Sequence, residues 1–371
     1  MLKLRKKLAS YQEIFYMLFL LPMTGMTSMG LNSEDRIYLY VFAVATLFLL
    51  LKMAVTDFTW REIVIMGVFT LLLGANFLRN GEKTLILTAM GIFGAKNVNL
   101  DKVMKYALWE KAVLTVGTLT LAATGVIENV AFELPKHGEM YTIYSYGYEI
   151  PNMGFANIFV IVLLAVVVYG DKLKWYAYMI GMAVIIAAYK LFICRTGLVV
   201  FGMLCIMVIG YYVMQSIEKQ RVYTKVFSFI PFIMAIFTII LPIVTRKSQE
   251  ISAKINEILN GRLWQVGALY LYDEIKGLWL GHMPSQNFDN MYFQLLYNYG
   301  WILFGTCLVA YAIGIWYCSL KEQYYVIIAL GSMAIYGYME LLPLSILWNL
   351  PLIYLAQVLF KERTVVHEQL Q

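Results

Sequence analysis

Long apolar runs, separated by short polar stretches, make up most of this chain of 371 residues. About twelve of them come near the roughly 20 residues that an α-helix needs to cross a hydrocarbon layer about 30 Å thick. Helices satisfy their own backbone hydrogen bonds in lipid, so the pattern predicts an all-α polytopic membrane protein. No linker divides the chain, and we expect one transmembrane domain over residues 1–371.

The runs differ in length, and the fourth is shorter than a full span. The first follows a basic stretch and lacks a small-residue cleavage site, which predicts a retained helix rather than a removed signal peptide. In chain order the predicted spans are Gln12–Gly30, Ile37–Ala54, Ile63–Phe77, Lys83–Gly94, Leu108–Ile127, Gly154–Tyr169, Trp175–Cys194, Gly197–Met214, Val226–Val244, Met291–Tyr317, Tyr324–Leu342 and Leu344–Phe360.

Basic residues gather in alternate gaps between these runs, for example at 3–7, 172–174 and 361–363. The positive-inside rule places such clusters, and both termini, in the cytoplasm. The gaps 128–152 and 245–290 then lie on the outer face of the membrane. The second is a large, partly helical outer loop between the ninth and tenth spans, and it concentrates the candidate chemical groups of the chain.

The composition excludes several classes of function. Hydrophobic residues make up 61% of the chain and charged residues only 14%, which is less charge than soluble domains carry. The net charge of +6 is spread over short loops, where insertion topology accounts for it, so no nucleic-acid partner is predicted. The four cysteines form no C-x-x-C motif, and the sequence predicts neither a metal site nor a cofactor.

Within the large outer loop, apolar residues recur at helical spacing from Ile251 to Gly277. The pattern predicts a helix that lies at the membrane interface and covers a cavity between the spans. We expect Gly277 and Gly281 to end this helix, and Pro284 disfavours a new helix before Asp289.

Two arginines are candidates for binding an anion. Arg195 interrupts the apolar stretch 175–214 within the sequence C-R-T-G, and a cation at such a break requires a partner or a water-filled cavity. Arg262 follows a glycine on the polar side of the predicted interfacial helix. Two guanidinium groups can neutralise a pyrophosphate without a metal. The alternatives are that Arg195 extends to lipid headgroups and that Arg262 is a solvated surface charge.

Three residues are candidates for a general base. Asp289 precedes an aromatic helix start, where a carboxylate either accepts a proton from an attacking hydroxyl or only caps the helix. His282 competes with it, because the unperturbed pKa of histidine lies nearer neutrality. Glu340, near the outer end of the eleventh span, is either a third functional acid or the ion-pair partner of an arginine that holds the bundle.

Four short motifs, in this order and with this topology, resemble the Wzy-type polysaccharide polymerases, which are relatives of the O-antigen ligases. The motifs are S-Y-G-Y-E-I-P-N at 145–152, C-R-T-G at 194–197, N-G-R-L-W at 260–264 and D-N-M-Y-F-Q-L-L-Y-N-Y-G at 289–300. The first ends an aromatic stretch that suits either stacking against sugar rings or an interfacial aromatic belt.

The resemblance implies a GT-C-like, inverting, metal-independent glycosyltransferase in a bacterial plasma membrane. Such an enzyme polymerises undecaprenyl-pyrophosphate-linked repeat units into capsular polysaccharide, exopolysaccharide or O-antigen, and a flippase and a chain-length regulator are possible partners besides membrane lipid. Arg195 and Arg262 match the arginines that the family uses around the donor pyrophosphate. The same resemblance implies that Asn152, Asn290 and Tyr292 contact the glycan.

The resemblance also bears on the alternatives. Asp289 stands where the ligases carry the histidine of a His-Asn pair, which favours a polymerase over a ligase. The general base stays open between Asp289, His282 and Glu340. A flippase or transporter of lipid-linked sugars is a further alternative, but transporters often have paired broken helices, and the sequence shows one clear break, at Cys194–Gly197.

Overall fold

The computed structural model describes residues 10–136, 139–245, 248–259, 261–263, 279–282 and 287–360. A two-stranded antiparallel hairpin, formed by β1 (Ala131–Lys136) and β2 (Glu139–Tyr144), stands between the fifth and sixth helices. The α-helices are α1 (Gln12–Ser28), α2 (Arg36–Val55), α3 (Trp60–Asn80), α4 (Thr84–Gly94), α5 (Leu100–Ala123), α6 (Pro151–Tyr169), α7 (Trp175–Phe192), α8 (Arg195–Ser216), α9 (Gln220–Val226), α10 (Ile230–Thr245), α11 (Gln249–Ile258), α12 (Met291–Leu320), α13 (Tyr324–Met339) and α14 (Ala356–Leu359).

Within these described residues, seven helical segments are long and apolar enough to cross a membrane, judged by length and composition. Shorter apolar helices accompany them at α4, at α13 and over Leu350–Leu359. The prediction of a mainly helical, multi-pass membrane protein is therefore confirmed. The seven segments are Arg36–Val55, Trp60–Asn80, Pro151–Lys172, Trp175–Phe192, Arg195–Ser216, Gln220–Thr245 and Met291–Leu320.

The loops gather at two ends of the helical bundle. At one end, which we call the hairpin end, the loop after α1 meets the loop before α6, where the Asn32 amide donates a hydrogen bond of 2.7 Å to Glu149. At the opposite end, Lys102 at the start of α5 pairs with Glu13 at the start of α1 over 2.6 Å. Helices α1 and α5 thus both begin at this opposite end, and α6 begins at the hairpin end.

The β-hairpin is an element that the sequence analysis missed. Its register pairs Ala131 with Tyr144, and the Ser145 backbone N–H extends the ladder to the Val130 carbonyl at 2.9 Å. Ile143 is buried, whereas Tyr144 is exposed on the other face. Two strands of six residues leave little periodic signal beside the membrane-length runs, so the gap 128–152 was predicted only as a loop.

Two long helical stretches are interrupted. The break that was predicted at Cys194–Gly197 is present but lies at residues 193–194: α7 ends at Phe192, Ile193 adopts a left-handed conformation with φ 50°, and α8 begins at Arg195. A second interruption was not predicted. It lies inside α12 at Gly300, which has φ 79° and ψ 174°. There the backbone of residues 279–281 packs against the kink, and a Cβ added to Gly300 would come within 2.4 Å of the Gly281 nitrogen.

The final span, predicted as one helix over 344–360, takes another form. A 3-10 turn at Leu342–Leu344, a 3-10 helix at Leu350–Leu355 and the short α14 replace it. Pro343 and Pro351 each remove a backbone donor that a continuous helix needs. Thr88 of α4 compensates, since its hydroxyl donates to the Leu344 carbonyl at 3.0 Å and accepts from the Ile346 N–H at 3.1 Å. Such irregular backbone is tolerated at membrane depth where protein surrounds it.

The predicted interfacial helix is present in part. It begins as α11, with the Ser248 hydroxyl accepting a hydrogen bond of 3.4 Å from the Ile251 N–H. Gly261, with φ 86°, follows the end of α11 and precedes a helical turn at Arg262. The predicted continuation to Gly277, and Pro284, lie outside the described residues.

Candidate functional site

Arg262 and Glu340 form a buried ion pair at the hairpin end of the bundle. Nη2 of Arg262 lies 2.8 Å from Oε1 of Glu340, and each side chain is only 7% exposed. The two residues are 78 positions apart in the sequence. Of the two alternatives for Glu340, the ion pair with an arginine describes the observed geometry. Arg262 is buried, so it is not the solvated surface charge that was the alternative for this residue.

Backbone groups hold the arginine in place. Arg262 donates from Nε to the Met339 carbonyl at the end of α13, and from Nη1 to the Leu259 carbonyl at 3.3 Å. With the bond to Glu340, these contacts involve three of the five N–H groups that an arginine carries. Arg262 thus fastens the segment after α11 onto the end of α13.

Glu340 follows α13 as its extended C-cap residue, with φ −148° and ψ 151°. Its Oε1 atom also accepts a hydrogen bond of 3.3 Å from the Asn152 amide, in the first turn of α6. The carboxylate therefore joins the start of α6, the end of α13 and the segment that follows α11. Of the residues predicted from the sequence, the structure brings Arg262, Glu340 and Asn152 into direct contact.

Asn290 lies beside this cluster and caps α12. Its Oδ1 atom accepts a hydrogen bond of 2.9 Å from the Phe293 N–H, and its Nδ2 atom donates to the Tyr338 carbonyl at 3.0 Å and to the Thr238 hydroxyl at 3.2 Å. The N-cap of α12 is Asn290 and not Asp289, so of the two alternatives for Asp289 the capping role does not describe the structure.

A small cavity separates Asn290 from Arg262. It has a volume of about 10 Å³, which is space for about one water molecule, and Thr238 and Tyr338 also line it. Asp289 precedes the lining residue Asn290 in the sequence, but the Asp289 side chain is exposed. Its charge nonetheless acts on Glu340. The buried carboxylate of Glu340 therefore interacts both with the buried guanidinium of Arg262 and with the charge of the exposed Asp289.

Arg195 lies at the first position of α8, with an exposed side chain. The buried Tyr336 hydroxyl is within electrostatic reach of Cys194, Arg262 and Glu340. The structure thus places the break of α7 and α8 near the pair, with Glu340 rather than Arg195 in direct contact with Arg262.

His282 occupies a different environment. Its ring stacks on Tyr297 with centroids 4.7 Å apart, and its Nδ1 atom lies 2.9 Å from the Tyr297 hydroxyl. Its backbone N–H donates to the Tyr297 carbonyl at 2.7 Å. These contacts fasten residues 279–282 to the N-terminal part of α12. The geometry therefore gives His282 a packing role at the kink.

Tyr292 is fully buried, and its hydroxyl donates to the Ala334 carbonyl of α13 at 2.7 Å. The prediction that Tyr292 contacts a glycan has no support in this geometry, because the hydroxyl is already engaged inside the bundle. Tyr292 joins α12 to α13 below the cluster.

The sequence analysis missed several buried polar groups, and Lys111 is one that lies deep inside the bundle. Lys111 in the middle of α5 is fully buried, and its ammonium lies 3.2–3.3 Å from Thr27, Ser28 and Asn157. It also lies 5.3 Å from the ring centroid of Trp348. The available signal was the pair of adjacent charges, Glu110 and Lys111, within a predicted span, since intramembrane charges mark sites or structural hubs.

The chemistry of the cluster follows from its composition. A buried guanidinium binds phosphate oxygens through directional hydrogen bonds, and nearby carboxylates accept protons. Among the described residues, no group of three histidine, cysteine or acidic side chains stands close enough to hold a metal ion. Comparison of the chain with known protein families, with curated proteins and with solved structures gives no match.

Proposed function

We propose that this protein is a membrane glycosyltransferase that polymerises oligosaccharide repeat units carried on undecaprenyl pyrophosphate. The observation that carries the proposal is the buried pair of Arg262 and Glu340 at the hairpin end of a multi-pass bundle. A cation and a carboxylate in contact, next to the residues of a broken span, provide one group for a leaving pyrophosphate and one for a proton.

The proposal includes the finer topology. The chain crosses a bacterial plasma membrane about twelve times by the length rule, with both termini in the cytoplasm and the hairpin end outside, in a GT-C-like arrangement. Shorter or irregular segments such as α4 and 342–360 provide crossings beyond the seven long helical segments. Lipid-linked repeat units then meet the site from the outer leaflet.

The reaction is one inverting displacement. A hydroxyl oxygen at the non-reducing end of the acceptor repeat unit bonds to the anomeric carbon of the donor chain, while the bond from that carbon to the pyrophosphate oxygen breaks. Undecaprenyl pyrophosphate leaves with the bonding electrons, and Arg262 and Arg195 stabilise its charge. The hydroxyl proton passes to the Glu340 carboxylate, which lies beside Arg262, with exposed Asp289 as the second candidate base.

Neighbouring amides orient the partners of this reaction. Asn152 holds one oxygen of Glu340, and Asn290 lines the cavity beside Arg262. Fixing a base and a cation before substrate arrives removes part of the entropic cost of the transition state. We therefore assign Asn152 and Asn290 to positioning, and both stand at points where an outer loop meets a helix start.

The size distribution of lipid-linked and surface glycans tests the proposal in cells lacking the protein and complemented with variants. Wild type restores long chains, and Arg262→Ala accumulates single repeat units on the lipid carrier. Lys254→Ala is the matched control, because Lys254 lies in the same outer segment but forms an exposed pair with Glu250 at 2.6 Å. It is expected to polymerise as wild type does.

The result decides between related functions as well. Wild-type chain lengths in a folded, inserted Arg262→Ala protein contradict the assignment of Arg262. Long chains that stay on the carrier in the deletion strain identify a ligase, which uses the same donor chemistry with another acceptor.

A transporter of lipid-linked sugars is the second candidate, because the structure adds interruptions beyond the one visible in the sequence. Gly300 kinks α12, and the segment after α13 is irregular. Interrupted helices of this kind often line transport sites. Purified protein in detergent separates the two functions, since a polymerase lengthens lipid-linked units without an ion gradient and a transporter does not.

A further inference from the structure

One side of the helical bundle contains an apolar crevice with a volume of about 360 Å³. Helices α3, α4 and α12 and the final irregular segment form its walls. Ile65, Phe69 and Ala89 face Val309 and Ile313 across it. Its walls are built from aliphatic and aromatic side chains over most of the length of α3, from Arg61 to Leu73.

The crevice opens sideways toward the membrane. Val309 is 48% exposed and Ile313 is 46% exposed, and both belong to the wall formed by α12. Ile65 and Phe69 on the opposite wall are half-buried. An apolar cleft of this shape, on the side of a membrane-spanning helix, is filled by hydrocarbon chains of lipid rather than by water.

One end of the crevice carries a positive charge. Arg61 is the charged residue among those that line it, and it lies in the first turn of α3 with an exposed side chain. The adjacent acid, Glu62, is already engaged, since its Oε2 atom pairs with Lys96 and accepts from the Thr59 N–H at 2.7 Å. Arg61 itself forms no ion pair with any residue that the structure describes.

Two further observations place this end at a headgroup layer. Trp60, beside Arg61, is 77% exposed, and exposed tryptophans favour the membrane–water interface. The end of the bundle that carries Arg61, Lys96 and Lys52 is the one that the positive-inside rule assigns to the cytoplasm. Basic pockets between transmembrane helices on that side bind the headgroups of anionic lipids.

We propose that this crevice is a binding site for an anionic phospholipid of the inner leaflet. An acyl chain lies between α3 and α12, and the lipid phosphate accepts hydrogen bonds from Arg61, with Trp60 at headgroup level. The outer end of the crevice reaches Met291 and Tyr292, where a carrier lipid from the outer leaflet is the competing occupant. The position of the charge at the opposite end favours the phospholipid.

Native mass spectrometry of the delipidated protein tests the site, with phosphatidylglycerol, phosphatidylcholine and a polyprenyl phosphate as probes. Phosphatidylglycerol is expected to bind wild type, and Arg61→Ala weakens its binding about five-fold, which corresponds to one basic residue at a membrane surface. Arg79→Ala is the matched control, because Arg79 is an exposed arginine in the last turn of the same helix. Phosphatidylcholine is expected to bind weakly to every variant.

A second pair of variants tests the crevice independently of the charge. Ala310→Phe adds a ring to a lining position and is expected to abolish phosphatidylglycerol binding, whereas Ile302→Phe changes a 42% exposed residue of α12 outside the lining. Thermal unfolding of each variant establishes that it is folded.

Either of two results overturns the proposal. The first is equal phosphatidylglycerol binding by wild type and Arg61→Ala. The second is tighter binding of polyprenyl phosphate than of phosphatidylglycerol, lost in Ala310→Phe, which assigns the crevice to the carrier lipid. Because the assay measures lipid binding alone, its outcome is independent of the proposed polymerase activity.

Discussion

At the residue scale, Arg262 and Glu340 depend on each other for burial. A single buried charge in this position costs several kcal/mol, and the other partner offsets that cost only because the geometry is close and hydrogen-bonded. The carbonyls of Met339 and Leu259 add further acceptors for the guanidinium. Such a pair contributes little net stability compared with apolar side chains of similar volume.

Removing one partner or both separates stability from function. Arg262→Ala or Glu340→Ala alone is expected to lower the free energy of unfolding by about 3–5 kcal/mol, because each leaves an unpaired buried charge. The double variant Arg262→Met with Glu340→Leu is expected to regain most of this stability while staying inactive in glycan polymerisation. Thermal unfolding in detergent and glycan chain length measure the two effects.

Lys254→Ala is the control variant for these changes in stability and in glycan chain length. Lys254→Ala removes an exposed ion pair, which is worth about 0–1 kcal/mol, and is expected to change neither readout. If the double variant polymerises glycan normally, the pair is only a structural clamp and the proposed function loses its main support.

At the element scale, the kink of α12 depends on glycine. Gly300, with φ 79° and ψ 174°, occupies a region that other residues essentially avoid, and the backbone of residues 279–281 packs directly against it. The partner position Gly281 has φ 83°, and a Cβ there would lie 2.1 Å from the Asn298 carbonyl oxygen. Two glycines thus let two backbones meet without side chains between them.

Gly300→Ala is therefore expected to destabilise the protein by at least about 1–3 kcal/mol and to release residues 279–282, including His282, from α12. Hydrogen exchange across 279–300 and thermal unfolding measure the change. Gly305→Ala on the same helix is the control, since a Cβ there meets nothing within 4 Å. It is expected to stabilise α12 by about 0.5–1 kcal/mol. Equal midpoints for the two variants contradict this account of the kink.

The segment after α13 shows how side chains replace regular structure. Its proline residues prevent a continuous helix, and Thr88, Asn349 and Lys111 provide contacts in its place. In the sequence, Pro343 and Pro351 indicate that a continuous helix is disfavoured in this segment. The apolar length of the run outweighed them in the prediction, because hydropathy measures lipid compatibility rather than backbone conformation.

At the scale of the whole molecule, the proposed topology places the two ends of the bundle in different compartments. The hairpin end carries the ion pair, and the opposite end carries the basic residues near Arg61 and Lys321. The positive-inside rule assigns the latter end to the cytoplasm. Under the proposed function, this orientation determines which leaflet supplies the substrate, and under the proposed lipid site it determines which leaflet supplies the bound lipid.

Cysteine labelling tests this orientation. In a background with the four native cysteines replaced by serine, Met140→Cys on the hairpin is expected to react with a membrane-impermeant maleimide in intact cells, because Met140 is 63% exposed. Lys321→Cys at the opposite end is expected to react only after the membrane is permeabilised. Labelling of Lys321→Cys in intact cells inverts the topology and places the site in the cytoplasm.

Much of the architecture was predictable because it depends on local properties. The apolar runs, the break before Arg195 and the start of α11 follow from hydropathy, charge and helical periodicity over short windows. The β-hairpin and the kink at Gly300 were missed. The hairpin is stabilised by cross-strand pairing, and the kink by a backbone that returns from another part of the chain.

The sequence by itself determined that this is a multi-pass membrane protein and which residues are chemically able to form a site, because apolar length and charge are properties of each segment alone. Only the tertiary structure decided that Arg262 pairs with Glu340, that Asn290 rather than Asp289 caps α12, and that His282 packs on Tyr297. The ion pair joins residues 78 positions apart, and the exact cap and the ring contact depend on how the backbone packs around α12, which a one-dimensional pattern does not contain.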